Sequence, residues 1–209
     1  MRVLIFGDSI TQGFWDTQGG WADRLKRTYA KTFVETQNLA IPTIFNLGIS
    51  GDTTAGLLNR IEAEIEARKF PGEELAFIFA IGINDTIYRD KNYDSEPELY
   101  DQELVNLMAK ARVYADKMLF VGLTPVVDKM LQPMAWSTTG KCYSSMRIRR
   151  FNDILKEVCA REKVPYVELF EQFEKVGPQS ILEDGLHPND EGHTLIYRSV
   201  RREFEKLLT

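Results

Sequence analysis

Two short segments near the ends of this chain carry side chains that can act together as a nucleophile and a general base. Residues 7–11 (GDSIT) hold Ser9 in a tight turn, and residues 184–189 (DGLHPN) hold His187, one of only two histidines. Histidine has an ordinary pKa of about 6.5, so it exchanges protons near neutral pH. A serine hydroxyl needs such a base to become a nucleophile. Serines are also common in turns and helix caps, so Ser9 taken alone predicts no chemistry.

The neighbours of the two histidines separate their expected roles. Asp184 lies three residues before His187, so one turn can carry a carboxylate that orients the imidazole and leaves its other nitrogen free. The Asp-Gly and His-Pro pairs of this segment are also ordinary turn formers. His193 precedes Ile196 and Tyr197 by three and four residues, which places it on the packed face of the last predicted helix. We expect His193 to be structural and His187 to be the available base.

Two further segments offer hydrogen-bond donors. Residues 46–52 (NLGISGD) and 81–85 (IGIND) follow the second and third hydrophobic runs of the chain. The carboxyl ends of parallel strands meet at one edge of a sheet. The backbone N–H of Gly48 and the side-chain NH2 of Asn84 are donors of the kind that stabilises an oxyanion. Taken singly, Gly48 also suits a tight turn, and Asn84 suits a turn or a helix cap.

Short apolar runs alternate with longer amphipathic stretches along the whole chain, which is typical of an α/β fold with a parallel sheet. Nearly continuous apolar runs indicate strands that helices cover on both faces. The five predicted strands are residues 3–6, 43–47, 75–81, 118–123 and 166–169. Helices are predicted around residues 57–65, 104–111 and 148–158, and from Pro188 onward. Asp52 is interpreted as the N-cap of the first of these helices, which is expected to start near Thr53.

Two predicted connections are longer than the usual two to six or so residues of compact α/β units. They are residues 82–96 and 124–141, and both leave the carboxyl ends of strands, where open parallel sheets bind ligands. Their aromatic side chains are predicted to contact a substrate, with packing beneath the loops as the alternative. These side chains are Tyr88, Tyr93 and Trp136.

The composition is that of an ordinary globular protein, with 209 residues, 44% hydrophobic and 27% charged. No repeat or linker divides the chain, so a single domain over residues 1–209 is expected. A net charge of -5 argues against a nucleic-acid partner. The basic cluster of Arg147, Arg149 and Arg150 is interpreted as a solvated helix face. Cys142 and Cys159 are too few for a disulfide framework and too isolated for a metal site.

The location of the protein is predicted from what the sequence lacks. No apolar stretch approaches the about 18 residues of a membrane span. The apolar run at the N-terminus is too short for a signal peptide and leads at once into the Ser9 turn. A cytoplasmic protein without a membrane span is therefore expected. The sequence does not determine the oligomeric state.

Together, four segments resemble the SGNH (GDSL) hydrolases. They are residues 7–11, 46–48, 82–85 and 184–188, and they occur in the family's order at predicted strand ends. Ile10 stands where the name-giving pattern has leucine, which is a volume-conserving difference. The resemblance implies a flavodoxin-like, three-layer α/β/α fold with a five-stranded parallel sheet. It also implies hydrolysis of carboxylic esters or thioesters with no metal and no organic cofactor.

The same resemblance assigns expected roles to individual residues. Ser9 would be the nucleophile, and His187 would be the base, oriented by Asp184. The oxyanion hole would consist of the N–H groups of Ser9 and Gly48 and the side chain of Asn84. The expected partner is a small-molecule ester. Short aryl or alkyl esters, thioesters, acetyl esters of sugars and lysophospholipids all stay open as substrates.

Two rival functions use parts of the same pattern. A flavodoxin-like phosphate or mononucleotide-binding module would cradle a phosphate with Ser9, Thr11 and Gly13, but it leaves the histidine and asparagine motifs without a task. A metal-dependent phosphatase would use Asp8, Asp85 and Asp184 as cation ligands. Against the second rival, Ile10 stands two residues after Asp8, where the best-known phosphoryl-transfer site has a second acid. Asp8 also fits the role of organising the turn that carries Ser9 better than a catalytic role. Ester hydrolysis is the interpretation that uses all four segments.

Overall fold

A five-stranded parallel sheet forms the centre of the molecule in the computed structural model, which describes residues 1–90 and 92–208. The strands are β1 (Arg2–Gly7), β2 (Thr43–Gly48), β3 (Leu75–Ala80), β4 (Met118–Val121) and β5 (Tyr166–Val167). Their order across the sheet is β2-β1-β3-β4-β5. In a doubly wound sheet of this order, the ligand crevice lies at the carboxyl edge between β1 and β3, where the order of the strands reverses. The predicted α/β fold with five parallel strands is confirmed.

Strand β1 explains why the strands read as continuous apolar runs. Successive side chains of a strand point to opposite faces of the sheet. Val3 and Ile5 pack into one hydrophobic cluster, and Leu4 and Phe6 pack into the other. All four side chains are fully buried. A strand between two helical layers has no solvent face, so its sequence shows no alternation.

Five longer helices cover the two faces of the sheet. They are α1 (Gly20–Thr36), α2 (Thr54–Glu66), α3 (Pro97–Arg112), α4 (Ser145–Glu162) and α5 (Asp190–Leu207). Helices α1 and α5 pack together on one face, and α2, α3 and α4 pack side by side on the other. Within the described part of the chain, no helix is both long and apolar enough to cross a membrane.

One predicted helix start and one predicted N-cap are wrong. Helix α5 begins at Asp190 instead of Pro188, because Asn189 is its N-cap and accepts hydrogen bonds from the N–H groups of Glu191 and Gly192 at 3.1 Å. The N-cap of α2 is Thr53, whose hydroxyl accepts from Gly56 at 3.1 Å. Asp52, the predicted cap, instead forms an ion pair with Arg60 at 2.7 Å, and that arginine also donates to the carbonyl of Leu47.

Strands β3, β4 and β5 end one or two residues earlier than predicted. The β4–β5 ladder pairs only Phe120 with Tyr166 and Val121 with Val167. Two residues further on, the N–H of Leu123 donates to the side chain of Asn152 at 2.8 Å instead of to a neighbouring strand. The apolar run continues past the end of β4 because Leu123 is still buried. Hydrophobicity therefore marks burial here and not the end of pairing.

The sequence prediction did not include helix α1 or the structure within the two long connections. Helix α1 follows Gly19, which has a φ of 81° and provides no side-chain cap, so the usual start signal is missing. The first connection contains a 3₁₀ turn (Asn84–Thr86) and a two-stranded hairpin (Tyr88–Arg89 with Asn92–Tyr93). The second contains a 3₁₀ turn (Asp128–Met130). Two short helices, Phe170–Val176 and Pro178–Ile181, lead to the His187 segment.

Candidate active site

Ser9 begins a four-residue helix (Ser9–Gln12) directly after β1. Asp8 is its N-cap and accepts a hydrogen bond from the N–H of Ile10 at 2.9 Å, which confirms that this aspartate organises the turn. At the first position of a helix the backbone N–H has no partner within the helix. Gly7 permits the tight approach, because a Cβ there would lie 2.1 Å from Thr11 Oγ1. Thr11 itself is fully buried and faces the sheet, so it does not form an open phosphate cradle.

Ser9, His187 and Asp184 form a continuous row of polar contacts. Ser9 Oγ lies 2.9 Å from His187 Nε2. On the other side of the imidazole, Nδ1 lies 2.8 Å from Asp184 Oδ2. The serine and the histidine are buried beneath the surface, at 6% and 2% exposure. If the carboxylate accepts from Nδ1–H, Nε2 is left as an acceptor for the serine O–H, which is the arrangement that activates a hydroxyl.

Asp184 is held as a carboxylate by its surroundings. Burial disfavours its charged form, but the hydrogen bonds from the His187 ring and backbone outweigh burial and hold its pKa well below the ordinary value. Its Oδ1 accepts from the N–H groups of Leu186 at 3.0 Å and His187 at 2.8 Å. These bonds leave Oδ2 directed at the imidazole. One turn of the chain thus fixes both the carboxylate and the ring that it orients.

The three aspartates of the rival phosphatase interpretation face different partners. Burial raises the pKa of Asp8 to about 7, against the hydrogen bond from Ile10 and the nearby His187, which lower it. Burial likewise raises the pKa of Asp85 to about 7, and its carboxylate accepts from the N–H of Thr54 at 3.1 Å. Asp184 is directed at the imidazole. In residues 1–90 and 92–208, no three His, Cys, Asp or Glu side chains converge to hold a metal.

Gly48 lies against the turn that carries Ser9. A Cβ at this position would lie 2.4 Å from the backbone nitrogen of Gln12 and 2.8 Å from the carbonyl oxygen of Asp8, so only glycine fits. Its own N–H donates to Asn46 Oδ1 at 3.1 Å. Gly48 is therefore close to the serine, but its N–H already has an acceptor within its own strand.

Asn84 has one amide hydrogen left after its contacts are counted. Its Nδ2 donates to the carbonyl of Asp52 at 2.9 Å, and its Oδ1 accepts from the hydroxyl of Tyr143 at 2.9 Å. Both Asn84 and Tyr143 are buried. Burial raises the pKa of Tyr143, which keeps its hydroxyl as a permanent donor. The carbonyl of Asp52 can only accept, so its bond to Nδ2 fixes which end of the amide is nitrogen. Tyr143 was not among the predicted site residues, because it lies in none of the four segments of the family pattern.

Aromatic side chains surround the His187–Asp184 pair. Trp15 donates its indole N–H to Asp184 Oδ2 at 3.0 Å. The ring of Phe14 lies 5.3 Å from the imidazole centroid, and that of Trp136 lies 6.0 Å from it at an interplanar angle of 26°. Trp136 is thus next to His187, and its role as a substrate contact stays a prediction. Phe14 and Trp15 were missed, although they follow the Ser9 turn directly in the sequence.

Tyr88 and Tyr93 occupy a different place from Trp136. Their rings pair edge to face at 6.1 Å on the hairpin, and they line a cavity of about 440 Å³ together with Arg147 and Arg150. Their interpretation as substrate contacts stays a prediction.

Arg147 does not lie on a solvated helix face, so that prediction is wrong for this residue. Its side chain is partly buried and donates to the carbonyl of Thr86 at 3.1 Å. The guanidinium carbon lies 3.9 Å from the Tyr93 ring centroid.

His193 is fully buried and has partners at both ring nitrogens. Nε2 lies 3.0 Å from the carbonyl oxygen of Phe14, and the N–H of Trp21 lies 3.3 Å from Nδ1. These contacts require the neutral ring with its hydrogen on Nε2. Burial lowers the pKa of His193, although the bond to Phe14 opposes that change. The ring joins helix α5 to the segment between Ser9 and helix α1.

Replacing His193 with glutamine is expected to reduce the loss of stability in acid. The unfolded chain binds a proton on this histidine below about pH 6.5, whereas the folded chain binds it only at a lower pH. Between those two values the unfolded state holds more protons, so the free energy of unfolding falls as the pH falls. Urea unfolding at pH 7 and pH 5 measures the slope, which one group limits to about 1.4 kcal/mol per pH unit. An unchanged slope in the variant would contradict the assignment.

A serine, a histidine and an aspartate in hydrogen-bond contact at the carboxyl edge of an α/β sheet are typical of hydrolases that act on carbonyl compounds. The chain belongs to the GDSL-like lipase/acylhydrolase family, whose model matches residues 5–195. It is therefore an enzyme that hydrolyses ester bonds.

Two relatives are named as esterases, and a solved structure shares the fold. The chain is 29% identical to Esterase TesA of Pseudomonas aeruginosa over 189 residues, covering 89% of this chain and 79% of that protein. It is 27% identical to the isoamyl acetate-hydrolyzing esterase 1 homolog of Mus musculus, covering 95% and 79%. The acetylxylan esterase Axe2 from Geobacillus stearothermophilus has the same fold, with a TM-score of 0.73, 20% identity and coverage of 97% and 93%.

Proposed function

We propose that this enzyme hydrolyses carboxylic esters through an acyl-enzyme on Ser9, with His187 as general base and Asp184 as its orienting partner. The observation that carries the proposal is the row of contacts from Ser9 Oγ to His187 Nε2 and from His187 Nδ1 to Asp184 Oδ2, at 2.9 and 2.8 Å. Such a row transfers a proton away from the hydroxyl as it attacks. The low pKa of Asp184 supports a carboxylate that stabilises the imidazolium formed in that step.

The oxyanion hole is proposed to consist of the N–H of Ser9, the N–H of Gly48 and the side chain of Asn84. Ser9 supports this role as the first residue of its helix, and Asn84 supports it with one uncommitted amide hydrogen. The N–H of Gly48 donates to Asn46 Oδ1 in the free enzyme. Gly48 therefore contributes only if that bond is shared with the oxyanion when substrate binds.

The proposed reaction has two half-steps that balance in protons and bonds. Ser9 Oγ attacks the ester carbonyl carbon while its proton passes to His187 Nε2, and the tetrahedral intermediate forms. Collapse of this intermediate breaks the bond to the alcohol oxygen, which takes the proton from the imidazolium and leaves. Water then attacks the acyl carbon and gives a proton to His187 Nε2. The second tetrahedral intermediate breaks its bond to Ser9 Oγ, which takes that proton back, and the acid leaves.

Small-molecule carboxylic esters are the proposed substrates. One relative is named as an isoamyl acetate-hydrolyzing esterase homolog, and another as an esterase. The fold neighbour Axe2 is an acetylxylan esterase, which keeps acetyl esters of sugars as a second candidate. A thioester substrate would use the same steps, because only the leaving atom differs.

We also propose the cytoplasm as the place of this reaction.

The proposal is tested with an aryl acetate and a serine-directed organophosphonate. The enzyme should hydrolyse the acetate, and the phosphonate should stop turnover by adding one equivalent to Ser9. Peptide mapping by mass spectrometry identifies the modified residue. The outcome that counts against an ester hydrolase is no turnover and no labelling, together with heat protection by a mononucleotide. That result would favour the binding-module interpretation.

Replacing Tyr143 with phenylalanine is expected to lower kcat about tenfold with little change in KM, which is less than the about 10²–10³-fold cost of removing an oxyanion donor. The phenyl ring keeps the packing but leaves Asn84 Oδ1 without its donor, so the amide is held only through Nδ2. Tyr166→Phe is the matched control. Tyr166 also donates to an asparagine side chain, with 2.8 Å between its hydroxyl oxygen and Asn152 Oδ1, and this bond is remote from Ser9. Steady-state kinetics should separate the two variants, and equal kcat values would refute a positioning role for Tyr143.

A further inference from the structure

Three large aromatic side chains stand partly exposed around the same imidazole. Phe14, Trp15 and Trp136 have exposures of 40%, 55% and 56%. Phe14 and Trp136 lie 5.3 and 6.0 Å from the His187 ring centroid, and Trp15 is bonded to Asp184. Single exposed aromatic residues are ordinary, but exposed apolar groups gathered at one place mark a binding surface. We name Phe14, Trp15 and Trp136 the aromatic rim.

The proposed mechanism says which part of an ester meets this rim. His187 Nε2 takes the proton of Ser9 and then gives it to the alcohol oxygen that leaves. The alcohol portion must therefore lie beside the imidazole, whereas the carbonyl oxygen points toward Asn84 and the backbone donors. Rings that flank the imidazole contact the alcohol and not the acyl chain. This step rests on the proposed function.

We propose that the aromatic rim is the subsite for the alcohol portion and that it selects apolar, bulky alcohols. The faces of Phe14 and Trp136 offer apolar area next to the reacting atoms. Met130, which is 42% exposed, lies against the His187 segment, since its side chain lies within 3.2 Å of where a Cβ on Gly185 would be. A sugar subsite also needs convergent polar groups. The indole N–H of Trp15 is already committed to Asp184.

The Phe14 side of the rim is held in place before substrate arrives. The carbonyl of Phe14 accepts a hydrogen bond from the buried His193 at 3.0 Å. Trp15 has a φ of 60°, an uncommon backbone conformation for a residue with a side chain, and its indole is fixed by Asp184. A subsite that is already ordered loses less entropy on binding. The bonds of Trp15 to Asp184 and of the Phe14 carbonyl to His193 therefore hold the backbone that carries both rings.

Two series of esters test the subsite. In the first series the acyl group is always acetyl and the alcohol grows from methanol to benzyl alcohol; in the second the alcohol is always methanol and the acyl chain grows. For Trp136→Ala, the ratio of kcat/KM between benzyl acetate and methyl acetate should fall about tenfold, mainly through KM. Phe14→Ala should act in the same direction, and Trp136→Phe should restore most of the ratio. The acyl series should keep its wild-type ratios in each variant.

Phe70→Ala is the matched control, because Phe70 is 55% exposed but packs against Arg2 at the amino edge of the sheet. It should leave both series as in the wild type. An unchanged benzyl-to-methyl ratio in both rim variants, or an equal loss in the acyl series, would overturn the proposal. If the rim variants lost more kcat/KM for acetylated xylosides than for benzyl acetate, the proposal would be overturned in favour of a sugar-binding subsite. Undiminished turnover by Ser9→Ala would instead refute the proposed function itself.

Discussion

Ser9→Ala is expected to lower kcat for an aryl acetate by about 10⁴-fold or more, because the hydroxyl is the proposed nucleophile and no other group replaces it. The residual rate should come from the oxyanion donors and substrate binding alone. Initial rates at saturating substrate measure the loss. The variant removes one buried oxygen and one hydrogen bond, so the fold should persist, and circular dichroism checks this.

Ser50→Ala is the control for this variant. Ser50 is an exposed residue after β2, on the same edge of the sheet as Ser9, and it belongs to none of the proposed groups. Its replacement should leave kcat within twofold of the wild type. A Ser9→Ala enzyme with a rate near that of Ser50→Ala would end the assignment of Ser9 as the nucleophile.

Asp184→Asn is expected to lower kcat by about 10³–10⁴-fold, as removal of the orienting carboxylate does in a serine protease. Asp184 Oδ2 accepts from both His187 Nδ1 and Trp15 Nε1, at 2.8 and 3.0 Å. An amide nitrogen in that place would face two donors and would favour the wrong tautomer of the imidazole. Because the pKa of Asp184 is well below its ordinary value, the wild-type carboxylate is ionised wherever a histidine titrates. The loss should therefore persist across neutral pH.

Asp190→Asn separates the loss of this charge from a general loosening of the site. Asp190 holds Thr17 by two hydrogen bonds, at 2.9 and 2.7 Å, in the segment that also carries Trp15. Its replacement weakens the segment without touching His187, so kcat should stay within about threefold. If the two aspartate variants lost the same activity, the effect of Asp184 would have to be attributed to the segment and not to the imidazole.

The sheet was predictable because burial on both faces leaves a simple trace. Val3 through Phe6 alternate between two cores, so all of them are apolar. The Ser9–His187–Asp184 contacts were predictable as a group because each residue follows a strand or begins a turn at one edge. The ends of β4 and β5 were not, because apolar residues continue beyond the last paired position.

The residues that the sequence did not reveal act across long distances in the chain. Trp15 reaches Asp184 over 169 positions, and Tyr143 reaches Asn84 over 59. Both contacts depend on how a connecting segment folds back over the edge of the sheet, and no periodicity encodes that path. The hydrogen bond from the Gly48 N–H to Asn46 could not be predicted for another reason. Close packing requires a glycine at this position whether or not its N–H is free, so the sequence is the same in both cases.

The most direct test of the account is to find the acyl group on the enzyme. The enzyme is mixed with an excess of a rapidly acylating aryl acetate, quenched in acid during turnover, digested and mapped by mass spectrometry. An acyl-enzyme on Ser9 predicts one acetyl group per molecule, on the peptide that contains Ser9, and none in Ser9→Ala. Full turnover with an unmodified Ser9, or with the acetyl group on a different residue, would contradict it.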